Sequence, residues 1–195
     1  SMGIRVILEE IGVTYELIES TIDMNKPRPA DQLAINPNGW IPVLVGDVAI
    51  YEAAAITIYL CDKHSEASLA PSVDDPSRGL FLQTLVYFSN SVQNAFQLNY
   101  YPERFCQSEE GYSNAMGRGV SRLRETWKVI DSQIGLSEWV LGDKFSAVDI
   151  YLFMLTTWLS ESRGHPSIQE FPNVARVAKR VLYRSATKEV YSSLS

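Results

Sequence analysis

The chain has 195 residues, of which 46% are hydrophobic and 21% charged, and carries a formal net charge of -6 at pH 7. That is the composition of an ordinary soluble globular protein with room for one large domain or two modest ones. The acidic balance argues against nucleic acid as a partner, since such surfaces are basic, and no run approaches the roughly 20 apolar residues of a membrane helix.

Ile4, Ile7, Leu8 and Ile11 recur at spacings of three and four, which predicts a short amphipathic helix closed by Gly12. Val13, Tyr15 and Leu17 alternate with polar residues, which predicts a strand. Residues 19 to 28 are irregular, Pro29 opens a helix through Ile35, and Pro37 forces its end near Asn36. Pro42 to Val45 and Val48 to Ile50 are apolar runs around Gly46-Asp47, which predicts a two-residue hairpin with Gly at positive φ. A helix is expected from Ala53 to Lys63. The order helix, strand, helix, strand, strand, helix is that of a thioredoxin-like module without its first strand.

Residues 64 to 77 are rich in breakers and read as a linker. Beyond it the pattern is helical: Arg78 to about Gln97, Ser113 to Ile134, an apolar helix through Trp158, and Asn173 to Arg184. Ser146 and Asp149 have the spacing of a capping box, with Phe145 placed to staple onto Ile150, and this motif is architectural. Arg176, Lys179, Arg180 and Arg184 form a basic stripe that reads as a solvated helix face. The fold expected is an α+β N-terminal domain over 1-65, then an all-α helical bundle over 76-195.

These features, taken in order, resemble the cytosolic glutathione transferases. The resemblance rests on Asn36-Pro37-Asn38-Gly39 with Ile41-Pro42, on Tyr51-Glu52 before Ala55-Ile56 and Tyr59-Leu60, on Leu69-Ala70-Pro71, and on the Ser146-to-Asp149 box. It implies a cis Ile41-Pro42 bond, with the Ile41 backbone holding the cysteinyl part of glutathione. It also implies that Glu52 holds the γ-glutamyl ammonium and that Trp40 touches the glycyl end. Ala53 stands where the family has a carboxylate-binding serine, leaving the amides of a helix start for that anion. For the electrophile pocket the resemblance points to the first helix after the linker, where Tyr87, Asn90, Gln93, Asn94, Tyr100 and Tyr101 mix polar and aromatic groups. Tyr87, Asn90, Asn94 and Tyr101 are the chosen candidates.

The family's sulfur-activating Ser, Tyr or Cys lies at the end of a first strand, and only Ser1-Met2-Gly3 precedes the first helix here. No catalytic residue is assigned, and a rearranged N-terminal sheet or an edge filled by another chain is expected. Cys61 and Cys106 are too few for a disulfide framework and no secretory signal is seen, which fits a reducing cytoplasm. His64 and His165 are the only histidines, and no zinc spacing, Gly-x-Ser-x-Gly or phosphate loop occurs, so no metal is expected. Cys61 near His64 reads as a buried small side chain rather than a dyad. The functions implied are conjugation of glutathione, as cosubstrate, to small electrophiles, a noncatalytic binding module of the same fold, or a glutathione-dependent isomerase. A homodimer is the implied assembly.

Overall fold

The computed structural model describes residues 1-20, 22-23 and 26-192. Helix α1 (Met2–Ile11) buries Ile4, Val6, Ile7 and Leu8, and ends at Gly12, whose φ of 78° lets its amide reach the Leu8 and Glu9 carbonyls. After α2 (Ala30–Ile35), strands β1 (Val43–Val45) and β2 (Ala49–Tyr51) pair antiparallel, Leu44 opposite Ile50. Helix α3 (Ala53–Lys63) follows directly. This is the thioredoxin-like part, reduced among the described residues to a two-stranded sheet.

Two local expectations are corrected. Val13 to Ile18 forms no strand, because an extended segment becomes one only by finding a ladder partner, and the only described ladder is β1 with β2. Tyr15 instead packs its ring on the core and donates its hydroxyl to Glu9 Oε1 at 2.8 Å. The hairpin also differs. Three residues, Gly46 to Val48, separate the strands, Gly46 donates its amide to Val48 O at 3.2 Å, and Gly46 is not among the residues at positive φ.

The helical part comprises α4 (Arg78–Tyr87), a π-helical turn over Phe88–Val92, α5 (Gln93–Tyr100), α6 (Glu109–Ile134), α7 (Ala147–Thr156), α8 (Pro172–Leu182) and α9 (Ser185–Ser192). Helix α7 is buried almost all round and forms the centre. Its capping box is formed: the Ser146 amide donates to Asp149 Oδ2 and the Val140 amide to Oδ1, both at 2.8 Å. Burial pushes the Asp149 carboxyl up to about 6 against those hydrogen bonds. Helix α9 was not foreseen; it packs on α1, so one apolar core runs from α1 through α3 into the bundle.

The basic stripe is solvated at Lys179 and Arg180, which are exposed, and half-buried at Arg176 and Arg184. Arg176 donates to the Ser137 and Gly135 carbonyls, Arg180 pairs with Glu138 and Arg184 with Glu10. Cys61 is buried, which raises its thiol to about 12, and His64 faces Glu66 instead.

Candidate functional site: a cleft at the cis-proline turn

Asn36 organises the turn. Nearly fully buried, it donates its side-chain amide to the Trp40 carbonyl at 2.7 Å, accepts the Asn38 amide on Oδ1 at 3.0 Å, and accepts the Gly39 amide on its carbonyl at 2.9 Å. Gly39 sits at φ 70°, where a side chain is strained, and a Cβ there would also press on Arg28 and Leu33. The chain leaves this turn through a cis Ile41-Pro42 bond.

The second support is the step from β2 into α3. Glu52 has φ 69° and ψ 114°, a conformation that costs a non-glycine residue on the order of 1–3 kcal/mol and is concentrated at ligand sites. Its carboxylate is exposed. Beside it, the first N–H groups of α3 have no partner within the helix and favour an anion.

Trp40, Ile41, Pro42, Glu52 and Ala53 line one cleft of about 560 Å³, together with Gln93, Phe96, Gln97, Tyr100, Tyr101 and Arg104 from α5 and the turn after it. This volume and this mixture of aromatic and polar groups suit a small-molecule site. The indole of Trp40 lies under two guanidinium groups, Arg28 at 5.1 Å and Arg104 at 4.4 Å from the ring centre. Gln93 is anchored by the Tyr151 hydroxyl, which donates to Gln93 Oε1 at 2.9 Å. Burial and the negative charge of Glu52 raise the Tyr151 pKa, so it stays a donor. Tyr100 donates to the Trp158 carbonyl at 2.8 Å, which ties α5 to the end of α7.

Residues 1–63 match the family model for the glutathione S-transferase N-terminal domain, and residues 105–184 match that for its C-terminal domain. The chain belongs to the glutathione transferase superfamily. Among curated relatives it is 25% identical over 206 residues to the glutathione S-transferase-like protein gedE of Aspergillus terreus, covering 98% of this chain and 89% of that protein. It is 29% identical over 179 residues to glutathione S-transferase Z2 of Arabidopsis thaliana, covering 89% and 77%. The fold superposes with a TM-score of 0.83, at 22% identity, on a sphingomonad glutathione S-transferase complexed with glutathione, covering 98% of this chain and 92% of that one.

Of the residues singled out for this glutathione transferase-like chain, the structure brings Trp40, Ile41, Pro42, Glu52, Ala53 and Tyr101 to the cleft. Tyr87, Asn90 and Asn94 do not line it. In an unbroken α-helix these three share a face, but the π-helical turn at 88–92 inserts a residue, so Tyr87 and Asn90 lose register with α5, while Asn94 within α5 faces solvent beside Gln93. Asn90 and Asn94 are exposed, and Tyr87 sits near Arg122 and Glu125 of α6, its hydroxyl pKa raised mainly by burial. The reset face instead presents Gln93, Gln97 and Tyr100. Gln93 and Tyr100 were within the candidate stretch, whereas Gln97, Phe96 and Arg104 carried no distinguishing signal in sequence.

Proposed function

We propose that the cleft binds glutathione and that the protein conjugates its sulfur to small electrophiles. What carries this reading is the convergence of Trp40, Ile41, Pro42, Glu52 and Ala53 on one cleft in a chain of this family. The Ile41 backbone holds the cysteinyl unit, the Glu52 carboxylate the γ-glutamyl ammonium, and the amides at the start of α3 the neighbouring carboxylate. Trp40 lies against the glycyl end. The thiolate then attacks the electrophilic carbon, forming a C–S bond, while the leaving group departs with its electron pair and the thiol proton goes to water.

Ala53 brings no hydroxyl to the carboxylate, which weakens binding by about 1.5–3 kcal/mol against a serine. With that loss, and with no sulfur-activating residue assigned among the described residues, the second reading is a glutathione-binding module without conjugation. Titration calorimetry with glutathione, followed by product analysis with glutathione and a small activated aryl halide, separates the two. Saturable binding with a thioether product supports the enzyme, binding without product supports the module, and the absence of binding at millimolar glutathione rules out both.

The same proposal includes two domains, 1-65 and 76-195, a cytoplasmic setting, a role in detoxification, and a homodimer joined through α3, α4 and α6. Exposed Leu80, Val86 and Val129 on α4 and α6 support the dimer. Light scattering after gel filtration, with a mass near twice 21.9 kDa, is the expected result.

A further inference from the structure

We propose that Arg104 is the oxyanion-recognition residue of the cleft's acceptor side, and that the second substrate is an aromatic compound bearing a carboxylate or sulfonate. The inference rests on the reading of the cleft as a glutathione site, whose peptide-binding residues come from the N-terminal part. Arg104 belongs to the other part, in the short turn Pro102–Arg104 after α5. It lines the cleft with Gln97, Tyr100 and Tyr101.

The guanidinium is held in place without being neutralised. It lies on the Trp40 ring at 4.4 Å and donates Nη1 to the neutral Gln97 Oε1 at 3.3 Å. Among the described residues no carboxylate pairs with it. Several arginines elsewhere have acids, Arg78 with Asp62, Arg122 with Glu125, Arg124 with Glu170, Arg180 with Glu138 and Arg184 with Glu10, and Arg176 spends its donors on the Gly135 and Ser137 carbonyls. A guanidinium has five donors in a planar fork that fits two oxygens of a carboxylate or sulfonate. Tyr100, beside it in the cleft, carries a second guanidinium on its ring, that of Arg163 at 4.3 Å, which also lacks a carboxylate partner among the described residues. Two such cations thus stand on cleft aromatics, and the carboxylate among the cleft-lining residues, Glu52, belongs to the N-terminal part. Phe96, Tyr100, Tyr101 and Trp158 supply the flat apolar surface that an aromatic ring needs. Arg28, from the N-terminal part, lies on the same Trp40 ring at 5.1 Å and donates to the Gly39 and Asp23 carbonyls.

The test compares 2-naphthoate with its neutral isostere 2-naphthamide by calorimetry on the full chain, with and without saturating glutathione, for wild type, R104Q, R104K and the distant control R124Q. The expected result is a preference for naphthoate of about tenfold or more, the value of a hydrogen bond to a charged group. That preference persists with glutathione bound, falls to near one in R104Q, is partly kept in R104K and is unchanged in R124Q. Equal affinity for the two probes in wild type overturns the proposal, as does a preference that survives R104Q. Loss of glutathione affinity in R104Q with the naphthoate preference retained also overturns it, because the arginine then serves the peptide. Failure of glutathione to bind wild type would refute the cleft's proposed function, while the probe comparison without glutathione still decides the role of Arg104.

Discussion

Arg184, at the junction of α8 and α9, donates Nε and Nη2 to both oxygens of Glu10 on α1, at 2.6 and 2.7 Å. Its guanidinium also lies 3.7 Å from the centre of the Phe145 ring. One side chain thus ties the first helix of the chain to the last two and to the loop that enters α7. The pair raises the Arg184 pKa, and the Glu10 side chain is only 12% exposed. The bidentate geometry and partial burial place the pair between an exposed ion pair and a fully buried one.

Arg184→Ala is therefore expected to destabilise the protein by about 2 kcal/mol, with Arg184→Lys keeping part of that through its single point charge. Arg124→Ala, which breaks an exposed pair with Glu170, should change stability by less than about 0.5 kcal/mol. Urea unfolding of the three variants measures the difference. Equal effects of R184A and R124A would show that the Glu10 pair is no more than a surface contact.

Two glycines of α6 predict opposite signs. A Cβ on Gly119 would lie 2.9 Å from the Ala95 carbonyl oxygen and 3.0 Å from the Asn99 amide nitrogen, backbone atoms of α5 that cannot swing away. A Cβ on Gly117 meets nothing within 4 Å. Gly117→Ala should stabilise the helix by about 0.5–1 kcal/mol, and Gly119→Ala should destabilise by about 1–3 kcal/mol despite the same gain in propensity. Stabilisation by both substitutions would mean that α5 and α6 are not in such close contact.

The His165 ring couples α5 to the segment after α7. Ser160 donates its amide to His165 Nδ1 at 3.1 Å, so the proton lies on Nε2, which meets Asn99 Oδ1 at 2.9 Å. Burial, and the positive charge of Arg163, lower the His165 pKa. The unfolded chain then binds more protons than the native state below about pH 6.5, so this contribution is full above that pH and is lost as pH falls through the native pKa. Asp149, raised to about 6, carries the opposite sign between about 6 and its unfolded value near 4. Subtracting the stability curve of His165→Gln from that of wild type isolates the histidine term. The difference should shrink from pH 7.5 to pH 5, and a difference independent of pH would contradict a neutral, buried His165.

The parts legible in sequence were those written in local chemistry. Asn36 to Pro42, Glu52 and the Ser146-to-Asp149 box announce their geometry through prolines, a glycine that needs positive φ, and a cap with its reciprocal acid. Whatever depended on a distant partner was less legible. Val13, Tyr15 and Leu17 alternate like a strand, yet their backbone finds no described ladder. Tyr87 and Asn90 have the right chemistry for a pocket but lie before and within a π-helical turn, whose inserted residue leaves no compositional trace, and Asn94, just after it, faces solvent. Arg104 reads in sequence as an ordinary exposed charge, and only the fold sets it on Trp40.

At the centre of the account is Glu52, strained at φ 69° beside the start of α3 and opening on the cleft. The most direct test is calorimetric titration of the full chain with glutathione, repeated for Glu52→Gln and Ala53→Ser. Saturable binding to wild type is predicted, weakened about 10- to 100-fold by E52Q, which removes the charge facing the ligand ammonium, and strengthened about tenfold by A53S, which adds a hydroxyl for its carboxylate. No heat of binding at millimolar glutathione, or binding indifferent to both substitutions, would contradict it.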